Sequence, residues 1–259
     1  MADSKVVIVT GSSSGIGLGV ATAFAEKGHK VAVNARKKTA EVERIVEELS
    51  KRAGKVIFAQ GDMSKPEDCK SMVQGVIDHW GRVDVLVNNA GIQHVEPIDT
   101  FPDEKWEAVV AINLSSAFYT TKAALPSMKE SGWGRVINMA SAHGLVASAY
   151  KSAYVAAKHG IVGLTKVTAL ETAEMGITAN TICPGYVWTP LVEKQIPEQA
   201  AAHNMTEDQV VREVLLSNQP NKKFATVEEI GDIAVFLASD GAASITGTTI
   251  SVDGGWTAR

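Results

Sequence analysis

The 259-residue chain lacks features that several classes of protein require. It has two cysteines, Cys69 and Cys183, which are far apart and show no metal-ligand spacing. No disulfide framework or zinc site is therefore expected, and the pair suits a reducing compartment. No apolar run approaches the roughly 18 residues that a membrane span needs, and the first residues do not resemble an export leader. These absences predict a soluble, cytoplasmic protein.

Excess charge is also missing. The formal net charge is only -4, which offers no electrostatic footprint for nucleic acid or for an anionic membrane surface. Low-complexity tracts, short repeats and Pro/Gly linkers are absent as well. The hydrophobic share of 45% is ample for a large core, so we expect one domain over residues 1–259.

Short β-branched runs alternate with longer segments of helical period. The segment 39–52 is one of these, because Val42, Ile45, Val46 and Leu49 form one apolar stripe. Such alternation is typical of an α/β fold with a mostly parallel sheet and helices on both faces. The strand-like runs are 5–10, 30–34, 55–60, 83–87, 135–139, 178–182 and 248–252.

The segment from about residue 190 to 224 departs from this alternation. It is polar, predicts helices at 198–203 and 207–216, and is longer than a compact crossover needs. Two interpretations stay open, namely a small helical lid over a pocket and a peripheral helical pair that packs on a neighbouring subunit or on nothing.

A glycine-rich turn follows the first strand-like run. Gly11, Gly15 and Gly17, with Ser13 and Ile16 among them, lie between that strand and a predicted helix. Glycines allow the backbone to approach a pyrophosphate, and a helix N-terminus offers free N–H groups and partial positive charge. This order predicts a dinucleotide site, although a turn with packing glycines alone is the simpler alternative.

The end of the second strand leaves the choice of dinucleotide open. Ala35 stands where an NAD site usually has an acidic residue, whereas Arg36 and Lys37 could bind the 2′-phosphate of NADP or begin a surface helix. Asp62, followed by Met63, could reach the adenine amino group or simply cap a turn.

Ser141, Tyr154 and Lys158 form the pattern that points most directly to chemistry. Tyr154 and Lys158 lie one turn apart on one helix face, so an ammonium can stand beside a phenol. A neighbouring cation favours the phenolate and would lower the tyrosine pKa from about 10 toward a range useful for acid-base catalysis. The serine hydroxyl could bond a carbonyl or alkoxide.

Taken in order, these motifs resemble those of the short-chain dehydrogenase/reductase family over essentially the whole chain. The matching positions are 10–17, 88–91, Asn113, Ser141, Tyr154, Lys158, Pro184 and Gly185. The resemblance implies a single Rossmann-type, doubly wound parallel sheet and hydride transfer with a nicotinamide cofactor. It also implies a homotetramer assembled through residues 103–130 and 150–175 and the C-terminal strand.

The same resemblance implies roles for individual residues. Tyr154 would be the acid/base, Lys158 would lower its pKa and bind the nicotinamide ribose, and Ser141 would polarise the carbonyl. Asn113 would hold a proton-relay water. Further positions would border the cofactor: Asn89, Ala90 and Gly91 at the riboses, and Pro184, Gly185, Val187 and Thr189 at the nicotinamide.

Longer stretches are similar to the branch of the family that oxidises (R)-3-hydroxybutyrate to acetoacetate with NAD. In that branch two glutamines, a histidine and a lysine grip a small carboxylate, and the matching residues are Gln93, His143, Lys151 and Gln195. Trp256 matches a residue near the substrate methyl group. The chain departs from the branch in having Tyr186 where a tryptophan is expected and Trp188 where an arginine is expected.

Residue spacing agrees with this interpretation. Lys151, Tyr154 and Lys158 share one helix face, so Lys151 supplies the cation that an acid substrate needs. Taken one by one, these polar residues could also be ordinary surface groups. Two other functions remain as alternatives: an NADPH-dependent reductase of 3-oxoacyl or other ketone substrates, and a non-catalytic nicotinamide sensor.

Overall fold

The computed structural model describes residues 4–53 and 55–258. Residues 1–3, which belong to the leader interpretation above, lie outside the described residues, as do Gly54 and Arg259. The described strands form one parallel sheet in the order β3-β2-β1-β4-β5-β6-β7. They are β1 (Val6–Val9), β2 (Lys30–Ala35), β3 (Val56–Gln60), β4 (Val85–Asn88), β5 (Gly134–Met139), β6 (Ile177–Pro184) and β7 (Thr249–Val252).

Helices cover both faces of this sheet. The described helices are α1 (Gly15–Glu26), α2 (Ala40–Ala53), α3 (Pro66–Trp80), α4 (Asp103–Val110), α5 (Ser116–Ser131), α6 (Ser152–Thr172), α7 (Pro190–His203), α8 (Glu207–Gln209) and α9 (Val227–Leu237). Residues of α1, α2 and α9 pack in one apolar core with β-strand valines. Residues of α3, α5 and α6 pack in a second core on the opposite face.

The predicted α/β fold is therefore confirmed, with strand ends shifted by one or two residues. The apolar stripe of α2 is confirmed too, since Val42, Ile45 and Leu49 are buried. The strands β1 and β4 are fully buried, as continuous valine, isoleucine and leucine runs predict for strands covered on both faces.

A chain of buried polar side chains crosses three neighbouring strands inside the sheet. Asn88 Nδ2 donates to Asn138 Oδ1 at 2.8 Å, and Asn138 Nδ2 donates to Thr165 Oγ1 at 2.8 Å. Thr181 Oγ1 lies 2.9 Å from Thr165 Oγ1, and Thr120 Oγ1 donates to Asn88 Oδ1 at 2.6 Å. Every member is buried, so these bonds replace those that water would otherwise make.

The strand order reverses beside β1, because β2 and β3 lie on one side and β4 to β7 on the other. Open α/β sheets bind ligands in the crevice outside the carboxyl ends of their strands at such a point. The loops that follow β1, β4, β5 and β6 all leave from this edge. They carry the glycine-rich turn, Gly91, Ser141 and Gly185, so the fold gathers the predicted site at one end.

The helical segment after β6 differs from its prediction. Its first helix begins at Pro190, eight residues earlier than expected, and contains Pro197. Thr189 caps it by accepting a bond from Val192 N at 3.4 Å, and proline suits the first helical turn because that turn needs no N–H donor. A π-helical stretch, Val210–Leu215, continues α8. Ile196, Val210 and Leu215 bury a small core of their own.

Candidate active site

The glycine-rich turn after β1 has the geometry of an anion cradle. Gly11 and Gly15 have φ angles of 61° and 52°, in the left-handed region that glycine adopts at little cost. A Cβ on Gly17 would collide with Asn89 Nδ2 and Gly11 O. Ser14 is the N-cap of α1 but makes no side-chain capping bond. The first N–H groups of the helix are thus available to a pyrophosphate, and the turn fits a dinucleotide.

Two residues hold this turn in place, and sequence reasoning missed one of them, Asn34. Asn34 is buried at the end of β2, where its Oδ1 accepts from Gly11 N at 2.9 Å and its Nδ2 donates to Ala59 O at 3.0 Å. Thr10 Oγ1 accepts from Asn89 N at 2.9 Å and from Ala90 N at 3.0 Å. A polar residue inside an apolar strand was the available signal for Asn34, since buried amides need partners.

The loops that follow β2 and β3 hold charge of both signs. Arg36 and Lys37 are exposed. Asp62 caps a turn, because its Oδ1 accepts from Ser64 N at 2.9 Å and from Ser64 Oγ at 2.7 Å, and these bonds lower the pKa of its carboxyl group. Its Oδ2 makes no hydrogen bond to a described residue. Met63 is buried, and its carbonyl faces the Cys69 thiol.

Asn113 lies in an unusual helical turn. Residues Ala111–Ser115 form a π-helical stretch between α4 and α5, and such stretches occur often at functional sites. Asn113 Oδ1 accepts from Ile92 N at 2.8 Å and its Nδ2 donates to Ile92 O at 2.7 Å. A Cβ on Gly91 would come within 2.8 Å of Asn113 Oδ1 and 3.7 Å of Lys158 Nζ. The three residues therefore meet where β4 ends.

Ser141, Tyr154 and Lys158 converge beside this point. Lys158 is buried, and its Nζ donates to Met139 O at 2.7 Å and lies 5.6 Å from the centre of the Tyr154 ring. Burial lowers the pKa of Lys158 to about 8. Burial also raises the pKa of Tyr154, although a hydrogen bond with Ser141 acts in the opposite direction.

The expected lowering of the Tyr154 pKa by Lys158 stays a prediction. Desolvation is the largest influence on the Tyr154 pKa and raises it, because the phenolate loses its water on burial, while the Lys158 ammonium donates to the Met139 carbonyl. The spacing of the two residues was predictable, whereas their burial depends on the tertiary packing of α6 against β5.

His143 occupies the centre of an aromatic wall. Its ring lies 5.9 Å from that of Tyr154 and 5.1 Å from that of Trp256, both edge to face. Tyr186 stacks on Trp256 at 6.2 Å with the ring planes 8° apart. Burial, followed by the charge of Lys151, lowers the pKa of His143 to about 4, so its imidazole is neutral at pH 7. Burial also lowers the pKa of Lys151.

Both ring nitrogens of His143 have partners. Nε2 lies 2.7 Å from Ser148 Oγ, and Nδ1 lies 3.4 Å from Ser141 Oγ. Ser148 is another residue that sequence reasoning missed, although it belongs to the same loop. A ligand that binds His143 must share or replace one of these two contacts.

The structure does not bring all predicted substrate residues into contact. Gln93 is exposed on the loop after β4, and Gln195 is half-buried on α7. Neither side chain makes a hydrogen bond to a described residue. Thr189 lies beside the glycine-rich turn, since its Cγ2 would lie 3.7 Å from a Cβ on Gly15. Val187 pairs with Ala225, which fixes the chain after Pro184 and Gly185.

Other kinds of site find little support in the described part of the chain. No group of three His, Cys, Asp or Glu residues there could hold a metal ion. Cys69 and Cys183 are both buried and free. Among residues 4–53 and 55–258, no helix combines the length and apolar character of a membrane-spanning segment.

Comparison with known proteins agrees with this geometry. The family described as short chain dehydrogenase matches residues 5–200. The chain therefore belongs to the short-chain dehydrogenases, a family of oxidoreductases that use a nicotinamide cofactor.

Individual relatives indicate which members of the family this chain resembles most strongly in sequence. The chain is 54% identical over 257 residues to D-beta-hydroxybutyrate dehydrogenase of Rhizobium meliloti (strain 1021), covering 99% of this chain and 100% of the relative. It is 51% identical over 262 residues to the enzyme of that name from Cupriavidus necator, covering 100% of both chains. A 3-oxoacyl-[acyl-carrier-protein] reductase of Staphylococcus epidermidis is 34% identical over 252 residues, covering 97% of this chain and 98% of that protein.

Proposed function

We propose that the protein oxidises (R)-3-hydroxybutyrate, the D-beta enantiomer, to acetoacetate with NAD in a reversible reaction. One observation carries the proposal: the neutral imidazole of His143 lies beside the ring of Tyr154, and Lys151 is close enough to His143 for its charge to lower the histidine pKa. A small acid substrate needs a positive charge within a desolvated pocket, and a reacting centre beside Tyr154. The relatives at 54% and 51% identity, both named for this substrate, support it.

In the proposed mechanism Lys151 pairs with the substrate carboxylate, and His143, Gln93 and Gln195 donate hydrogen bonds to it. His143 exchanges its contact with Ser148 for the carboxylate. Trp256 and Tyr186 form the apolar wall for the methyl end. These contacts place C3 and its hydroxyl beside Tyr154, which fixes the reacting geometry before the chemical step.

During oxidation Tyr154 first releases its own phenolic proton, and the resulting phenolate then accepts the proton of the C3 hydroxyl; during reduction the phenol gives its proton to the substrate oxygen. Ser141 bonds the substrate oxygen as its charge changes. The nicotinamide of the bound cofactor supplies the acceptor for the hydride of C3. Lys158 and Asn113 hold the path by which the tyrosine proton reaches solvent, and both lie beside Gly91.

The cofactor contacts follow from the cradle described above. Ser13, Gly15, Ile16 and Gly17 would bind the pyrophosphate through backbone N–H groups, and Gly11, whose own N–H is held by Asn34, would allow the close approach of the backbone. Asp62 and Met63 border the adenine. The ribose and nicotinamide contacts come from Asn89, Ala90, Gly91, Tyr154, Lys158, Pro184, Gly185, Val187 and Thr189. Arg36 would lie near the 2′ position of the adenosine ribose, where it would bind a 2′-phosphate.

The direct test is an assay of purified protein with (R)-3-hydroxybutyrate and NAD, in which reduced nicotinamide is followed by its absorbance. Turnover with the (R) acid and little with the (S) acid is the expected result. No turnover of the (R) acid with NAD or NADP, at any pH from 6 to 9, would reject the substrate assignment.

A second function has an observation in its favour. Ala35 replaces the acidic residue of an NAD site, and exposed Arg36 and Lys37 follow it. An NADPH-dependent reductase of 3-oxoacyl thioesters would use them for the 2′-phosphate. That enzyme would reduce a neutral thioester ketone with NADPH and leave free acetoacetate nearly untouched, so the two substrates separate the two functions.

We also propose that residues 190–224 act as a lid and that the enzyme is a cytoplasmic homotetramer. The lid has its own apolar core, in which Tyr186 and Phe224 take part. Exposed apolar side chains on α5 and α6, which are Phe118, Val167 and Leu170, support a subunit interface. Light scattering should give four times the chain mass, and hydrogen exchange within 190–215 should slow when cofactor and acetoacetate are both present.

A further inference from the structure

Gln219 is one of the most deeply buried polar residues in the described chain. It follows the helical segment Val210–Leu215, and its side chain is 1% exposed. Its Oε1 accepts from Tyr186 N at 2.6 Å, and its Nε2 donates to Lys223 O at 2.6 Å. One amide group therefore joins the loop after β6 to the end of the segment 190–224.

The surroundings of Gln219 are shaped for this contact. A Cβ on Gly185 would collide with Gln219 Oε1, so the loop approaches this closely only with glycine there. Residues 216–225 are held firmly: Lys222 Nζ donates to Leu216 O at 2.7 Å, and Asn221 N donates to Gly254 O at 3.2 Å. Lys222 itself has a left-handed φ of 52°.

The bond to Tyr186 acts on a residue that lines the substrate pocket. Tyr186 N follows the Pro184–Gly185 turn, where sheet pairing with β7 has ended. Its side chain stacks on Trp256, which in turn contacts His143. A shift of the Tyr186 backbone would therefore move the wall against which the substrate methyl group packs.

We propose that Gln219 is a positioning residue for substrate binding, which holds the Tyr186 wall in register with Trp256 and couples that wall to the 190–224 segment. The inference rests on the proposed function for the identity of the pocket. Gln219 reaches the proposed nicotinamide contacts only through the loop of Gly185 and Tyr186, and it hydrogen-bonds neither the glycine-rich turn nor the Ser141, Tyr154 and Lys158 cluster. Its loss should consequently raise the substrate KM more than it changes cofactor binding or kcat.

The experiment uses Gln219→Glu as a switch within one protein. A protonated glutamic acid keeps one acceptor for Tyr186 N and one donor for Lys223 O. A carboxylate has no proton to donate, so one of its oxygens faces the Lys223 carbonyl oxygen without a hydrogen bond. Burial raises the pKa of such a carboxyl above its usual value of about 4.3, so the switch falls within the assay range. The ratio of substrate KM in the variant to that in the wild type is measured from pH 5.5 to 9.

Using this ratio removes the pH effects of Tyr154 and Lys151, which both proteins share. We expect a ratio near one at pH 5.5 that rises to about tenfold at pH 9, the order expected for a lost buried hydrogen bond. The dissociation constant for NADH should stay within about twofold. Gln219→Leu should show the high ratio at every pH.

The matched control is Gln209→Glu in the same segment. Gln209 is exposed, and its side chain serves only as an acceptor for Thr206 N at 2.9 Å, which a carboxylate also provides. The ratio of substrate KM in Gln209→Glu to that in the wild type should not change with pH. A flat ratio for Gln219→Glu, or an equal rise in the NADH dissociation constant, would overturn the proposal and leave Gln219 a merely structural residue. If Gln219→Leu does not fold, Gln219→Glu alone still decides.

A second readout separates this inference from the substrate assignment. Trp256 fluorescence reports on the Tyr186 stack without any substrate. The emission of Gln219→Glu should change reversibly with pH, and the change should disappear when Trp256→Phe is added. Absence of turnover in the wild type with such a fluorescence change would reject the substrate alone, whereas normal turnover without the change would reject the role of Gln219.

Discussion

The carboxamide of Asn113 closes a two-bond ring with the backbone of Ile92, accepting from its N–H at 2.8 Å and donating to its carbonyl at 2.7 Å. The Asn113 side chain thus bonds both the N–H and the carbonyl of one residue in the loop after β4, as the backbone of a neighbouring strand would. The π-helical stretch Ala111–Ser115 turns Asn113 toward that loop. The same contact fixes Gly91, which lies on this loop close to Lys158.

Asn113→Leu should lower kcat at least tenfold, since it removes two partly buried hydrogen bonds and frees the loop that carries Gly91 and Gln93. Steady-state kinetics with (R)-3-hydroxybutyrate and a thermal melt measure the effect. Asn218→Ala, at an exposed position, is the control. A variant with normal kcat would show that Asn113 takes no part in the reaction.

Tyr154→Phe should reduce kcat by about 10²–10⁴-fold, the usual contribution of a positioned acid or base. NADH binding and folding should be retained, because the ring still packs against His143. Tyr150→Phe removes an exposed hydroxyl four residues earlier and should be silent. Comparable kcat values in the two variants would eliminate Tyr154 as the proton acceptor.

Lys151→Ala should raise the substrate KM by about 10–100-fold, because a hydrogen bond between charged groups is lost. Burial lowers the pKa of Lys151, so the wild-type ammonium loses its proton at a lower pH than an exposed lysine. KM should therefore rise as the pH becomes alkaline, and the variant should lack this rise. Lys166→Ala, exposed on the same helix, should behave like the wild type.

Lys158 should make the native state more stable as the pH rises. Its native pKa is about 8, compared with 10.5 for an ordinary lysine. The unfolded chain therefore binds this proton more tightly, and stability rises with pH between those two values, by up to about 3 kcal/mol from this group. The stability of Lys158→Met relative to the wild type should consequently fall between pH 7 and 10.

Chemical denaturation at several pH values measures this difference. Lys166→Met, at an exposed position, should show no such trend. If the stability difference between Lys158→Met and the wild type does not vary with pH, the pKa of Lys158 in the folded protein is that of an ordinary lysine.

Arg36→Ala should affect the use of NAD and the use of NADP differently. If the enzyme uses NAD, the KM for NAD should change less than about twofold, whereas any use of NADP should weaken about tenfold through loss of a charge-assisted bond to the 2′-phosphate. Lys38→Ala, whose amine pairs with Glu43 at 3.1 Å, is the control. A large loss with NAD would assign Arg36 to a contact other than the phosphate.

Local signals in the sequence predicted much of the fold. Gly11 and Gly15 mark left-handed turns, valine-rich runs mark buried strands, and the stripe of α2 marks its core face. The pKa values of Tyr154 and Lys158 could not be predicted in this way, because they depend on the depth to which α6 packs. Gln219 was also hidden, since its partner Tyr186 is 33 residues away.

The buried polar chain through Asn88, Asn138, Thr165 and Thr181 has a consequence for how the sheet assembles. A slip of one residue between β4, β5 and β6 would turn these amides and hydroxyls away from one another, leaving several without partners in an apolar interior. Valine-rich strands alone would tolerate such a slip more readily, since their side chains are much alike. The polar ladder therefore favours the native strand alignment over shifted ones, because a shifted sheet would bury polar groups without partners.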